Sequence, residues 1–176
     1  MATRSERDEK FGLVKLNKIL FYADFVAYWR RGKSITGHEY FAIQEGPAPR
    51  QMVPILRQMK QSEEVAIQQI DIGLANPRSR VIALRPPDYE LLGAENVAMV
   101  DEIIKKFWNK SGTDLSRLSH KFAGWKIAMS QGDKMTIQYS MALFDAENLI
   151  GWEPPPLPNE LVEYAKQFAP ESQAAA

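Results

Sequence analysis

Apolar residues crowd every side of the stretch Lys15 to Phe25, KLNKILFYADF. On a helical wheel, Leu13, Leu16, Ile19, Leu20, Ala23 and Ala27 form one stripe, while Phe21, Tyr22, Phe25 and Trp29 fill the other flank. A helix without a wet face belongs at the centre of a fold. The polar remainder, Asn17, Asp24 and Arg31, recurs at a constant interval along the helix and lies on one seam, because a heptad drifts by only about 20°. Asp24 has no basic residue one helical turn away on either side. Its carboxylate must therefore be met by water, backbone N–H groups or a cation that the tertiary fold supplies.

The pattern predicts that this helix begins near Ser5 to Asp8 and ends at Gly32, a glycine behind basic residues. A short strand is expected over Tyr40 to Gln44, stopped by Gly46-Pro47-Ala48-Pro49. Met52, Ile55, Leu56 and Met59 then return to helical spacing, and Pro54 fits only a first turn, so this helix should start near Arg50 or Gln51. Val65 to Ile72 and Arg80 to Leu84 read as an antiparallel pair, with Gln68-Gln69 breaking the alternation as a bulge would. Together with the Tyr40 strand they predict a three-stranded antiparallel sheet.

Beyond Pro86-Pro87, Val97, Val100, Ile104 and Phe107 mark the wet-and-dry pattern of an ordinary amphipathic helix. In LSRLSHKFAGWKIAM, residues 115–129, the residues Leu115, Leu118, Phe122, Trp125 and Met129 make a core stripe that His120 points away from. Gly124 on the His120 side predicts close approach by another element. A further helix is expected over Ile137 to Phe144. Glu153-Pro154-Pro155-Pro156 is a stiff spacer, and Asn159 caps a last helix whose edge is Leu161, Val162, Ala165 and Phe168. The expected organisation is a domain over 1–152, spacer and helix packed on it over 153–170, and a disordered tail over 171–176. The fold class that follows is α+β: one mainly helical domain around a central apolar helix, with a small three-stranded antiparallel sheet.

Composition narrows the function more than it changes the fold. At 176 residues with no cysteine, the chain is long enough for a single core and has no thiol chemistry or thiolate metal site. Net charge is zero, and the basic residues are scattered rather than clustered with aromatics, so nucleic acid is not an expected partner. The N-terminus MATRSERDEK has no apolar run behind it of signal-peptide or membrane-spanning type, which predicts a cytoplasmic protein and no membrane association. No phosphate loop, nucleophile elbow or paired metal histidines occur, so no cofactor or metal is expected. The two histidines are His38 and His120. A hydrolytic dyad of His120 and Asp24 is conceivable only if the fold joins them, and no nucleophile completes it.

Three blocks, KLNKILFYADF, ITGHEYFAIQEGPAPR and LSRLSHKFAGW, come in order across residues 13 to about 130, and together they resemble the Panacea domain, the SocA-like antitoxin family. The first is similar to the family's lysine-leucine-x-lysine-leucine-leucine-tyrosine helix, the second to its glycine-proline turn, and the third to its leucine-serine-x-x-threonine-histidine segment. Ser119 stands where the family usually has threonine, which keeps the hydroxyl. The resemblance implies a mainly helical domain with a small sheet, and a non-enzymatic antitoxin that binds a separately encoded protein toxin. The alternative it implies is an adaptor delivering the toxin to a protease of the ClpXP type. The motif positions and candidates for toxin contact are Tyr22, Asp24, Gly46, Pro47, Ser119, His120 and Trp125.

Overall fold

The computed structural model describes residues 1–73 and 77–149. The expected C-terminal spacer, helix and tail lie outside them. After a 3-10 turn at Thr3–Ser5, the elements run α1 (Leu13–Arg31), β1 (Tyr40–Ile43), β2 (Gly46–Pro49), α2 (Met52–Gln61), β3 (Val65–Ile70) and β4 (Arg78–Ala83). They continue with α3 (Tyr89–Leu92), α4 (Ala94–Phe107), α5 (Gly112–Ser119), α6 (Ala123–Gln131), β5 (Thr136–Ile137) and α7 (Met141–Phe144).

Helix α1 is the axis of the core. Every residue from Phe21 to Ala27 is buried, a run of nearly two turns, so no face of this part of the helix meets water. Phe21 and Phe25 stand 4.5 Å apart and draw in Tyr40, Phe122 and Tyr139 at centroid distances of 4.7–5.8 Å, while Tyr22 packs edge-on to Phe107 at 5.0 Å. Such pairs each contribute roughly 0.5–1.5 kcal/mol beyond burial. The helix stops at Gly32, whose φ of 70° closes the end through an N–H bond to the Tyr28 carbonyl at 2.7 Å.

Its start differs from the expected Ser5 to Asp8. Asp8 turns inward and accepts from Lys15 Nζ at 2.5 Å, and the same ammonium donates to the carbonyls of Phe107 (2.7 Å) and Lys110 (2.8 Å). Lys15 and Asp8 are both fully buried. The N-terminal residues are thus a strap over the end of α1, and Phe11 is buried beneath it. Burial lowers the Lys15 pKa despite the pull of Asp8.

The three-stranded antiparallel sheet exists, but with other strands than expected. Its order is β2-β1-β5, and β3 pairs only with β4 in a separate hairpin. The Gly46-Pro47-Ala48-Pro49 segment does not merely stop β1. It returns antiparallel to it, Tyr40 opposite Pro49 and Ile43 opposite Gly46. Two prolines are tolerable there because β2 is an edge strand. In the β3–β4 hairpin the register is one to one from Val65–Ala83 to Ile70–Arg78, so Gln68-Gln69 is not a bulge. The alternation fades because Gln68 and Gln69 lie in the exposed part of β3, where neither face is tied to a core.

Helix α2 starts at Met52 with Pro54 in its first turn, and α4 buries Met99, Val100, Ile103, Ile104 and Phe107, both as the spacing predicts. The 115–129 stretch is two helices rather than one. Helix α5 has a Ser111/Asp114 capping box, and the chain breaks at residues 120–122 before α6. Phe122, fully buried, occupies the break, and the Asp145 carboxylate accepts the N–H of Ala123 behind it. The expected helix over Ile137 to Phe144 is the end of β5 and the four-residue α7.

Candidate functional site

The three blocks that stand apart in sequence meet at the turn between β1 and β2. Lys18, on α1, is 1 % exposed and donates to the Pro47 carbonyl at 2.9 Å. Gly46 holds φ at 97°, and a Cβ on it would stand 2.3 Å from Ser119 Oγ and 2.8 Å from Lys18 Nζ. Only glycine fits both the backbone and the space. Ser119 is fully buried and its hydroxyl donates to the Ser116 carbonyl at 2.8 Å. Trp125 spans from α6 to the other side of the turn, its indole N–H donating to the Ile43 carbonyl at 3.0 Å. The His120 ring stacks on Trp125 with centroids 4.0 Å apart and planes 13° from parallel. So α1, α5 and α6 all grip one four-residue segment, Ile43 to Gly46, and the Pro47 that follows.

Electrostatically the site holds two cations that burial keeps from charging. Lys18 is pushed down to about 7 by burial, with Glu45 pulling the other way. His120 is lowered by burial and then by Lys18, against hydrogen bonding to the Gln44 backbone and the charge of Glu45. The Nε2 of His120 is buried without a hydrogen-bond partner among the described residues. Gln44 and Glu45 at the tip of the turn are exposed, whereas His120 and Trp125 are half-buried.

Asp24 belongs to a different node. Its Oδ1 accepts from the N–H groups of Ile35 (2.9 Å) and Thr36 (2.8 Å), and its Oδ2 accepts from the hydroxyls of Thr36, Tyr40 (2.8 Å) and Tyr139 (3.3 Å). Of the three sources open to it from the sequence, the fold uses backbone N–H groups and adds hydroxyls. These bonds tie the loop after α1 to the helix that precedes it. Burial, and then the Asp24 charge, raise the Tyr40 and Tyr139 hydroxyl pKa values. None of the hydrogen bonds to Asp24 comes from His120, so the fold does not join the pair into a dyad.

Tyr22 packs in the core, and its hydroxyl has no partner among the described residues. Of the seven candidates, Tyr22, Asp24, Gly46, Pro47 and Ser119 are buried, and only His120 and Trp125 reach the surface. The close approach expected at Gly124 comes from the chain itself, since a Cβ there would meet Phe122, Met141 and Ile137 at 2.6–3.1 Å. Reading the sequence missed Lys18, the residue that links the first block to the second. Its signal was a second lysine one turn after Lys15 in a helix with no wet face. Among the described residues no group of three or more acidic or histidine side chains is placed to hold a metal ion, and no helix is long and apolar enough to cross a membrane.

The family model for the antitoxin SocA-like Panacea domain matches residues 16–126, which include all seven candidates as well as Lys18. Neither a curated protein nor a solved structure matches the chain.

Proposed function

We propose, from the premise that this chain belongs to the SocA-like Panacea antitoxin family, that it neutralises a separately encoded protein toxin by stable, direct association. The family match over residues 16–126 is the observation that carries this reading. The site supports it in kind. Its side chains fasten a hairpin tip to three helices and leave Asp24 and His120 with separate structural work, which is the build of a rigid recognition surface.

The buried motif residues act as the frame, and the surface that meets the toxin is the rim above them: Gln44 and Glu45 at the turn, with the accessible edges of His120 and Trp125. An aromatic at the centre of such a rim is the usual anchor of an interface. A stable complex should bury roughly 1,200–2,000 Å² in total, which requires neighbouring surface as well.

Expression of the adjacent open reading frame alone should stop growth, co-expression with this chain should restore it, and the two proteins should elute as one complex. Glu45→Lys, at an exposed position, should weaken that complex while the fold is retained. Rescue without any complex, with toxin abundance falling only when a ClpXP-type protease is present, would replace this reading by the adaptor. Failure to rescue the toxic neighbour would reject neutralisation altogether.

A further inference from the structure

Helix α7 presents two apolar side chains to solvent, Phe144 at 82 % and Leu143 at 55 % exposure, and Ile127 of α6 is 48 % exposed. The short helix is nevertheless firmly seated. Met141 packs against Gly124 at its start, and Asp145 at its end accepts the Ala123 N–H. Both ends of α7 are thereby held on the first turn of α6, and Ile127 lies on the next turn. An ordered four-residue helix fixed by buried contacts, with a phenylalanine left in water, is an apolar surface in want of a cover.

Three observations select the cover. The described chain ends at Leu149, five residues after Phe144, and ten residues more reach Asn159. Even fully extended, such a spacer spans at most about 36 Å, so whatever follows stays near the α6–α7 face. The residues that follow include Leu161, Val162, Ala165 and Phe168, an apolar edge at one-turn spacing. The charges also match. Residues 159–168 carry Glu160 and Glu163 against a single Lys166, whereas Lys121 and Lys126, both exposed, flank the first turn of α6.

We propose that residues 159–168 dock in cis on the α6–α7 face, laying Leu161, Val162, Ala165 and Phe168 against Ile127, Leu143 and Phe144, with Glu160 and Glu163 towards Lys121 and Lys126. A short tether raises the effective concentration of the segment to the millimolar range. A weak intrinsic contact therefore suffices to keep it seated, and a competing partner can displace it. The proposal stands independently of toxin neutralisation.

The chain contains no cysteine, so Ser140→Cys in the full chain gives one site for a nitroxide label. Ser140 is exposed and its side chain makes no capping bond. With the label attached, the amide signals of residues 160–168 should broaden in nitrogen-15-labelled protein, equally at every protein concentration. Adding Phe144→Ser should restore sharp signals in that segment while the α1 signals stay where they are. Sharp signals from 160–168 in the labelled chain would overturn the proposal, as would broadening that survives Phe144→Ser undiminished. Broadening seen only between a labelled and an unlabelled copy would assign the face to a second copy instead.

Discussion

Replacing Gly46 by alanine tests the arrangement at the β1–β2 turn most directly. Two penalties follow from the structure. A φ of 97° suits glycine alone, and holding an L side chain in positive-φ backbone costs about 1–2 kcal/mol. The new methyl would also stand 2.3 Å from Ser119 Oγ and 2.8 Å from Lys18 Nζ. Both neighbours are buried, so neither can swing out into solvent. Overpacking of this kind costs about 1–3 kcal/mol, and any relief that pulls Lys18 off the Pro47 carbonyl leaves a buried amine unpaired, at about 1–3 kcal/mol more. The expected loss is roughly 3–5 kcal/mol, read as a shift in urea midpoint at constant slope. Adding Ser119→Ala removes the nearer contact, so the double variant should recover about 1 kcal/mol relative to the sum of the singles. Growth rescue by Gly46→Ala should fail in step with its unfolding, since the turn tip would be displaced even in the folded fraction. A Gly46→Ala protein within about 1 kcal/mol of the parent, or one whose loss is untouched by Ser119→Ala, would refute this account of the turn.

Asp24→Ala should cost about 3–5 kcal/mol, because it orphans backbone and hydroxyl donors together, while Asp24→Asn should cost less than half as much, since an amide oxygen still serves Ile35 and Thr36; equal losses in thermal melts would contradict that account of the node. Lys18 gives a pH signature. Its pKa of about 7 in the fold lies below its ordinary 10.5, so the unfolded chain binds more protons between those values and stability rises with pH across pH 7 to 10.5. The Lys18→Met protein should lack that rise, on the order of a few kcal/mol, and a stability difference from the parent that stays flat from pH 6 to 10 would count against a depressed Lys18. Trp125→Phe keeps a ring against His120 but drops the N–H bond to Ile43, for an expected loss of about 1 kcal/mol and weakened toxin binding; full affinity in a titration would remove Trp125 from the interface.

Reading along the chain was sufficient wherever one element's own period carried the information. The all-round apolar character of residues 15–25 placed α1 at the centre because no solvent-facing arrangement exists for it, and Gly32 ended it because the αL cap is a local property. Pro54 located the start of α2 for the same kind of reason. The three motif blocks were legible too, as was the need of Asp24 for donors from elsewhere, since a lone buried carboxylate is excluded whatever the fold.

Tertiary structure decided what depends on residues distant in sequence. The strand partners of β1 are one such case: β2 carries two prolines and reads as a stop, and β5 is two residues long, so neither has a period to detect. The break between α5 and α6 is another, because Leu115, Leu118, Phe122 and Trp125 keep helical spacing across it, and only the descent of Phe122 into the aromatic core and the Asp145 cap on Ala123 reveal it. Lys15 and Lys18 are the clearest. A lysine's sequence neighbours say it prefers water, and only Asp8 and the carbonyls of Phe107, Lys110 and Pro47, brought from as many as 95 positions away, make burial of the two amines affordable. Periodicity records which face of an element is dry, whereas the donors and acceptors that satisfy a buried polar group are a property of the assembled fold.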